Sequence, residues 1–244
     1  FEVKLSQFDL IIFDRYRRRG VLPQQYFQNI ADYVNNGGAL LEASGPAFGS
    51  PLSLYRTPLA AVLPGQPTGN VLTEGFTPML TDAGRRHPVT ADLPGADPQH
   101  PAWGRWFRQV EVQPTGGTVV MSGIGGRPLL LLDRVGKGRV AQLLSDQVWL
   151  WARGFEGGGP QAELLRRTAH WLMKEPELEE DSLSAAANGD HLDIVRRSMQ
   201  PDPHPVDVTT PSGAREHVTL KDLGDGRAVG SLAVSEPGLY RLGD

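Results

Sequence analysis

The first 175 residues alternate two hydrophobic patterns. Residues 8–14 form a mostly apolar run with an acid near each end, the signature of a strand covered on both faces. Pro23 then opens a segment in which Tyr26, Phe27, Ile30, Ala31 and Val34 fall on one stripe at helical spacing, and Gly37 stands where a left-handed C-cap ends such a helix. A second apolar run, 39–43, follows at once. Strand, helix and strand with short joints predict a βαβ unit with a right-handed crossover. Over 44–100 the pattern loosens into proline- and glycine-rich chain, with one helical candidate at 57–63. Four strand-like runs then follow at 107–113, 118–122, 128–133 and 139–145, separated by glycine turns. A last helix is predicted over 161–174, burying Leu165, Ala169 and Leu172 and turning Arg166, Arg167 and His170 outward.

Beyond this point the period changes. Residues 176–182 belong to an acidic, proline-bearing stretch that reads as a solvated linker. From 183 to 244 every apolar run is short and bounded by turn residues: 183–187, 191–197, 206–210, 217–220, 228–234 and 239–242. Asn188 and Gly189 supply the positive φ angles of a two-residue hairpin. Six short strands at this spacing predict a small all-β sandwich of immunoglobulin-like type.

Composition narrows the picture. In 244 residues, 39% are hydrophobic and 21% charged, and the formal net charge is −4. That balance fits a folded protein and offers no general attraction to nucleic acid, so no nucleic-acid role is expected. The chain contains no cysteine, which removes disulfides, thiolate catalysis and zinc–thiolate sites. No apolar run approaches the ~20 residues that span a bilayer. The chain starts at Phe1 and enters a strand almost immediately, and it is read as a piece of a longer polypeptide.

Several motifs, in their order and spacing, carry a resemblance. They are Gly37 and Gly38 with the stretch from Ala43 to Gly49, Thr57 to Pro64, His87 with Pro88, Gly136 to Arg139, Ser145 and Asp146 with Trp149 and Trp151, Trp171 to Lys174, and the ending Pro237 to Leu242. Together they resemble the C-terminal part of a family of large bacterial membrane-anchored proteins that carry a class I glutamine amidotransferase-like domain. The resemblance implies an α/β fold: a three-layer flavodoxin-like domain over residues 1–175, followed by the sandwich over 183–244. It also implies a parent chain anchored in the inner membrane, with a protein partner in the bacterial envelope. In that family a cysteine nucleophile stands on a turn after a strand, and a histidine activates it from a later strand end. Here Ser44 occupies the first position, and Ser145 and Asp146 occupy the second.

The resulting expectation is a non-catalytic scaffold or ligand- and partner-binding module without a cofactor. The alternative is an amide or ester hydrolase built on Ser44, although the surroundings of Ser44 lack the Gly-x-Ser-x-Gly elbow. Candidate binding residues are Asp14, Arg15, Ser44, Asp146, Trp149 and Trp151. Asp14 and Asp146, with Glu42, are also metal candidates, because clustered carboxylates bind Mg²⁺ or Ca²⁺; the competing reading makes each a solvated or capping acid. Arg15, Arg17, Arg18 and Arg19 offer guanidinium forks to an anion, or simply a soluble loop. Gly136 and Gly138 flank Lys137 between two strands, which is a turn and not a phosphate loop. Trp103, Trp106, Phe107, Trp149, Trp151 and Phe155 form either a partner anchor or part of the core.

Overall fold

The computed structural model describes residues 4–201 and 204–243. In chain order the elements are β1 (Ile11–Asp14), α1 (Gln24–Asn35), β2 (Ala39–Ala43), β3 (Gly65–Leu72), β4 (Met79–Leu80), α2 (Asp82–Arg86), β5 (Gln109–Pro114), β6 (Thr118–Ser122), β7 (Pro128–Val135), β8 (Gly138–Leu143), α3 (Trp149–Ala152) and α4 (Gln161–Leu172). They are followed by β9 (Ser182–Asn188), β10 (His191–Arg197), β11 (Val206–Thr209), β12 (Arg215–Val218), β13 (Lys221–Asp222), β14 (Arg227–Ala233) and β15 (Arg241–Gly243).

The main sheet has six strands in the order β1-β2-β8-β7-β6-β4. Its first three strands are parallel, with Ile11 opposite Leu40 and Leu40 opposite Val140. The other three run antiparallel. This corrects the expected three-layer flavodoxin-like α/β fold. The physical reason is in the connections: a parallel neighbour needs a crossover of a dozen residues or more, and only β1–α1–β2 has one built as a helix of that length. β6, β7 and β8 are joined by glycine turns at 123–127 and 136–137, which leave hairpin pairing as the available geometry. Among the described residues strands make up 34% and helices, short 3₁₀ turns included, 24%, with the strands spread over separate sheets. A two-stranded sheet, β3 with β5, lies beside the main one, and the excursion predicted as irregular supplies β3, β4 and α2.

Two cores sandwich the parallel half. On one face α1 lays Phe27, Ile30, Ala31 and Val34 against Leu40, Leu131 and Val140. On the other, α4 buries Leu164, Trp171 and Leu172 against Leu41, Ala141 and Leu143. Successive residues of β2 thus serve opposite faces, as strand alternation requires. Each such aliphatic side chain contributes about 1.5–3 kcal/mol. The stripe of α4 is Leu164, Thr168, Trp171 and Leu172: Leu172 is buried as predicted, while Leu164 and Thr168 replace Leu165 and Ala169 because the indole of Trp171 takes the inward place.

From Ser182 onward the chain builds two antiparallel sheets, β13-β14-β10-β9 and β12-β11-β15, around Ile194, Val206, Val208, Val218, Leu220 and Ala228. In the first hairpin Asn188 pairs with His191, so the two-residue loop is Gly189 and Asp190. The loop is thus one residue later than the pattern suggested, with Gly189 at the expected positive φ, 62°, and Asn188 still in the strand. The acidic stretch before this unit is docked rather than solvated. Glu179 bonds Arg134 and Arg139, and Glu180 bonds Arg134, the indole of Trp171 at 2.9 Å and His87 at 3.3 Å. Arg86 crosses to the strands beyond, donating to Asp222 at 2.9 Å and to the Gln200 carbonyl at 2.6 Å. Gly226, at φ 86°, lets the backbone of Arg86 approach where any Cβ would collide with its carbonyl.

Candidate functional site

The carboxyl ends of β1, β2 and β8 are where an open sheet with parallel strands leaves a crevice. The three strand ends are tied by backbone: the Arg15 amide donates to the Ala43 carbonyl at 2.8 Å, and the Ser44 amide to the Leu143 carbonyl at 2.7 Å. Arg15 holds φ 49°, a left-handed turn that swings its side chain over the strand ends. The side chain of Arg15 is 61% exposed, and its Nε stands 3.2 Å from Asp146, which is 1% exposed. Arg108 holds the same carboxylate with both oxygens, at 2.7 and 2.9 Å. Ser145 fixes the corner by donating to the Arg108 carbonyl at 2.7 Å and accepting from the Gln147 amide at 3.2 Å. One buried acid therefore orients two guanidinium groups at the mouth.

Behind them lies a second buried acid without a cation. Glu42 accepts from the Ser44 hydroxyl at 2.6 Å and from the Gln142 amide at 3.1 Å. Burial pushes its carboxyl up to about 7, against those two hydrogen bonds. Ser44 is itself fully buried, with its hydroxyl committed as a donor to Glu42. No described hydrogen bond joins Ser44 to a histidine. His87, the buried histidine of the excursion, accepts from the Val89 amide through Nδ1 and meets Glu180 through Nε2. Burial, foremost, keeps its imidazole below the ordinary value.

The sequence candidates thus have different fates. Arg15, Ser44 and Asp146 come together with Glu42 around the strand ends. Asp14 is exposed at the end of the edge strand β1. Among the described residues no group of three His, Asp or Glu side chains is placed to hold a metal ion. The aromatics divide: Trp103, Trp106 and Trp151 are buried, with Trp103 and Trp106 each packed at a tilt on Trp151, centroids 5.2 and 4.8 Å away. Trp149 is 52% exposed, and Phe155, packed on Phe107, is 39% exposed. Arg108 and Gln142 were not foreseen. Arg108 precedes β5, a strand far from the crevice in sequence, and nothing local marks it as the partner of Asp146.

The sequence matches no family model and no curated protein. Solved structures resemble it in fold. The cytoplasmic protein STM1381 from Salmonella typhimurium LT2 is 22% identical, with a TM-score of 0.58 over 70% of this chain and 74% of that one. The cytoplasmic protein STM3548 from Salmonella typhimurium is 18% identical, with a TM-score of 0.57 over 70% and 74%. The N-terminal domain of mmIFT52 is 16% identical, with a TM-score of 0.52 over 71% and 80%. At these identities the likeness concerns the fold alone. With the mixed, strand-rich sheets, these neighbours overturn the expected membership in the glutamine amidotransferase-like family of membrane-anchored proteins. No helix among the described residues is long and apolar enough to cross a membrane. The expected membrane association has no support in these findings.

Proposed function

We propose that this chain is a non-catalytic module that binds an acidic protein partner at the rim formed by Arg15, Arg108 and Trp149. The observation that carries this reading is that the crevice satisfies its own reactive groups: Ser44 is bonded to Glu42, and Asp146 to Arg108 and Arg15. A serine nucleophile needs a base within hydrogen-bond reach, and the oxygen Ser44 meets is a carboxylate in a site closed to solvent. What the rim offers outward is different. Two guanidinium groups share one carboxylate, leaving a local excess of positive charge and unfilled N–H forks. Trp149 stands three residues after Asp146 and is half exposed; Phe107, which directly precedes Arg108, pairs with Phe155. Arginine and tryptophan are the residue types on which interface energy concentrates.

The test is a crosslinking pull-down comparing wild type with the Arg15→Glu, Trp149→Ala double variant, performed separately on solubilised membranes and on the soluble fraction. The expected result is a specific partner lost in the variant while circular dichroism stays unchanged, and the fraction that yields it locates the partner. An unchanged set of partners would remove the rim from the binding surface. Ester and amide reporter substrates assay the hydrolase alternative: turnover lost in Ser44→Ala would overturn the non-catalytic reading.

A further inference from the structure

A second cluster of charge lies away from the rim, where the main-sheet unit meets the β-sheets of the C-terminal region. A hollow of about 200 Å³ opens there, lined by Asp92, Arg167, Arg197, Asp225 and Arg227 among others. Its three arginines come from α4, β10 and β14. Two are already held. Arg167 donates to Glu163 at 2.6 Å and to the Ala91 carbonyl at 2.5 Å. Arg227 donates to Asp225 at 2.6 Å and to Asp92 at 3.2 Å. Arg197 differs: among the described residues no carboxylate stands within ion-pair distance of it.

Its position makes that unusual. Arg197 and Arg227 are directly opposite each other in the β10–β14 register, so both side chains leave the same face of the sheet. Like charges placed this way repel. Burial and the neighbouring Arg227 hold the Arg197 guanidinium below its ordinary value, with Asp225 and Asp92 opposing. Asp92 offsets only part of the charge, since burial and the neighbouring Asp225 push its carboxyl above the ordinary value. With Glu163 on Arg167, and Asp225 and Asp92 on Arg227, Arg197 is the guanidinium left over, and a hollow smaller than the ~300 Å³ from which pockets for drug-sized ligands begin selects a small anion.

We propose that this hollow binds a phosphate-sized oxyanion, either free phosphate or the phosphate of a monoester, with Arg197 as its direct ligand and Arg227 and Arg167 beside it. Fork-shaped donors converging from separate elements match a tetrahedral oxyanion, which accepts several charge-assisted hydrogen bonds at once. Because α4 belongs to one unit and β10 and β14 to the other, the bound anion would fasten the two together.

The test is calorimetric titration and thermal unfolding of the whole chain with inorganic phosphate and, in a separate arm, phenyl phosphate, each against chloride at equal ionic strength. Saturable binding at millimolar phosphate or below is expected, weakened at least about tenfold in Arg197→Gln. Arg153→Gln, an exposed arginine elsewhere, should bind as wild type does. In chloride, Arg197→Gln should melt no earlier than wild type, because it removes a half-buried cation without a partner; this separates a ligand role from a structural one. Arg197→Lys, which keeps the charge and loses the fork, should fall between. Tighter binding of phenyl phosphate than of phosphate assigns the site to a phosphorylated partner, and the reverse assigns it to the free ion. No saturable signal, equal stabilisation by chloride, or unchanged affinity in Arg197→Gln would overturn the proposal.

Discussion

The crevice rim and the seam between the two units use the same residue types to opposite ends. At the rim one buried carboxylate, Asp146, is saturated by two arginines, so the corner is rigid and its leftover positive charge faces outward. At the seam the largely exposed Asp92 and the buried Asp225 stand among three arginines, and among the described residues Arg197 has no carboxylate of its own. What separates the cases is Asp92, an acid of the seam that reaches solvent. A carboxylate sealed from water must collect its partners to exist as a charge, whereas one that reaches solvent can leave a neighbour unmatched. Removing the buried acid of the rim should therefore cost stability, whereas removing the unmatched arginine of the seam should change anion binding and leave stability intact.

Four measurements would break or sharpen that contrast. The largest effect belongs to Glu42, whose carboxyl lies at about 7 in the folded chain against an ordinary 4.5. A raised acid is stabilising while protonated, so its contribution is complete below about 4.5 and disappears as the pH rises through 7. On the order of 3 kcal/mol is at stake. Chemical denaturation across that window should show stability falling with pH in wild type and a flatter profile in Glu42→Gln.

Next is Asp146→Ala, which leaves two guanidinium groups facing each other; with Arg15 largely solvated, a loss of about 2 kcal/mol is expected by urea unfolding. If this variant were neutral, the rim would not be the rigid corner described. Arg86→Ala cuts the link to Asp222 and Gln200 and should cost about 1 kcal/mol, seen chiefly as faster proteolysis between the units. Smallest is Asp92→Asn, which should leave stability within about 0.5 kcal/mol, because its ion pair is largely in water. The same change should tighten phosphate binding by removing a competing negative charge. A large stability loss there would erase the difference between rim and seam.

How much of this was legible beforehand can be read from particular residues. The β1–α1–β2 unit was, because Phe27, Ile30 and Val34 recur at helical spacing between two short apolar runs. The strands of the antiparallel half were also visible, together with the glycine turns that join them. What those turns imply for direction was overlooked in favour of a family resemblance, and the flavodoxin-like expectation failed on that point. Ser44 and Asp146 were placed correctly at strand ends. The more distant partners were not, since Arg108 lies 38 residues from Asp146 and Gln142 lies 100 from Glu42, and only sheet order brings them close.

The sequence by itself determined the local elements outside residues 44–100, the absence of thiol chemistry, and the change from mixed helix and strand to short strands near residue 180. Those depend on periodicity and composition, which act over a few residues. Tertiary structure alone decided the rest: which way each strand runs, which acid meets which arginine, and which arginine is left unmatched. The strength of an electrostatic contact depends on distance and burial, and both are set by packing between segments far apart in the chain.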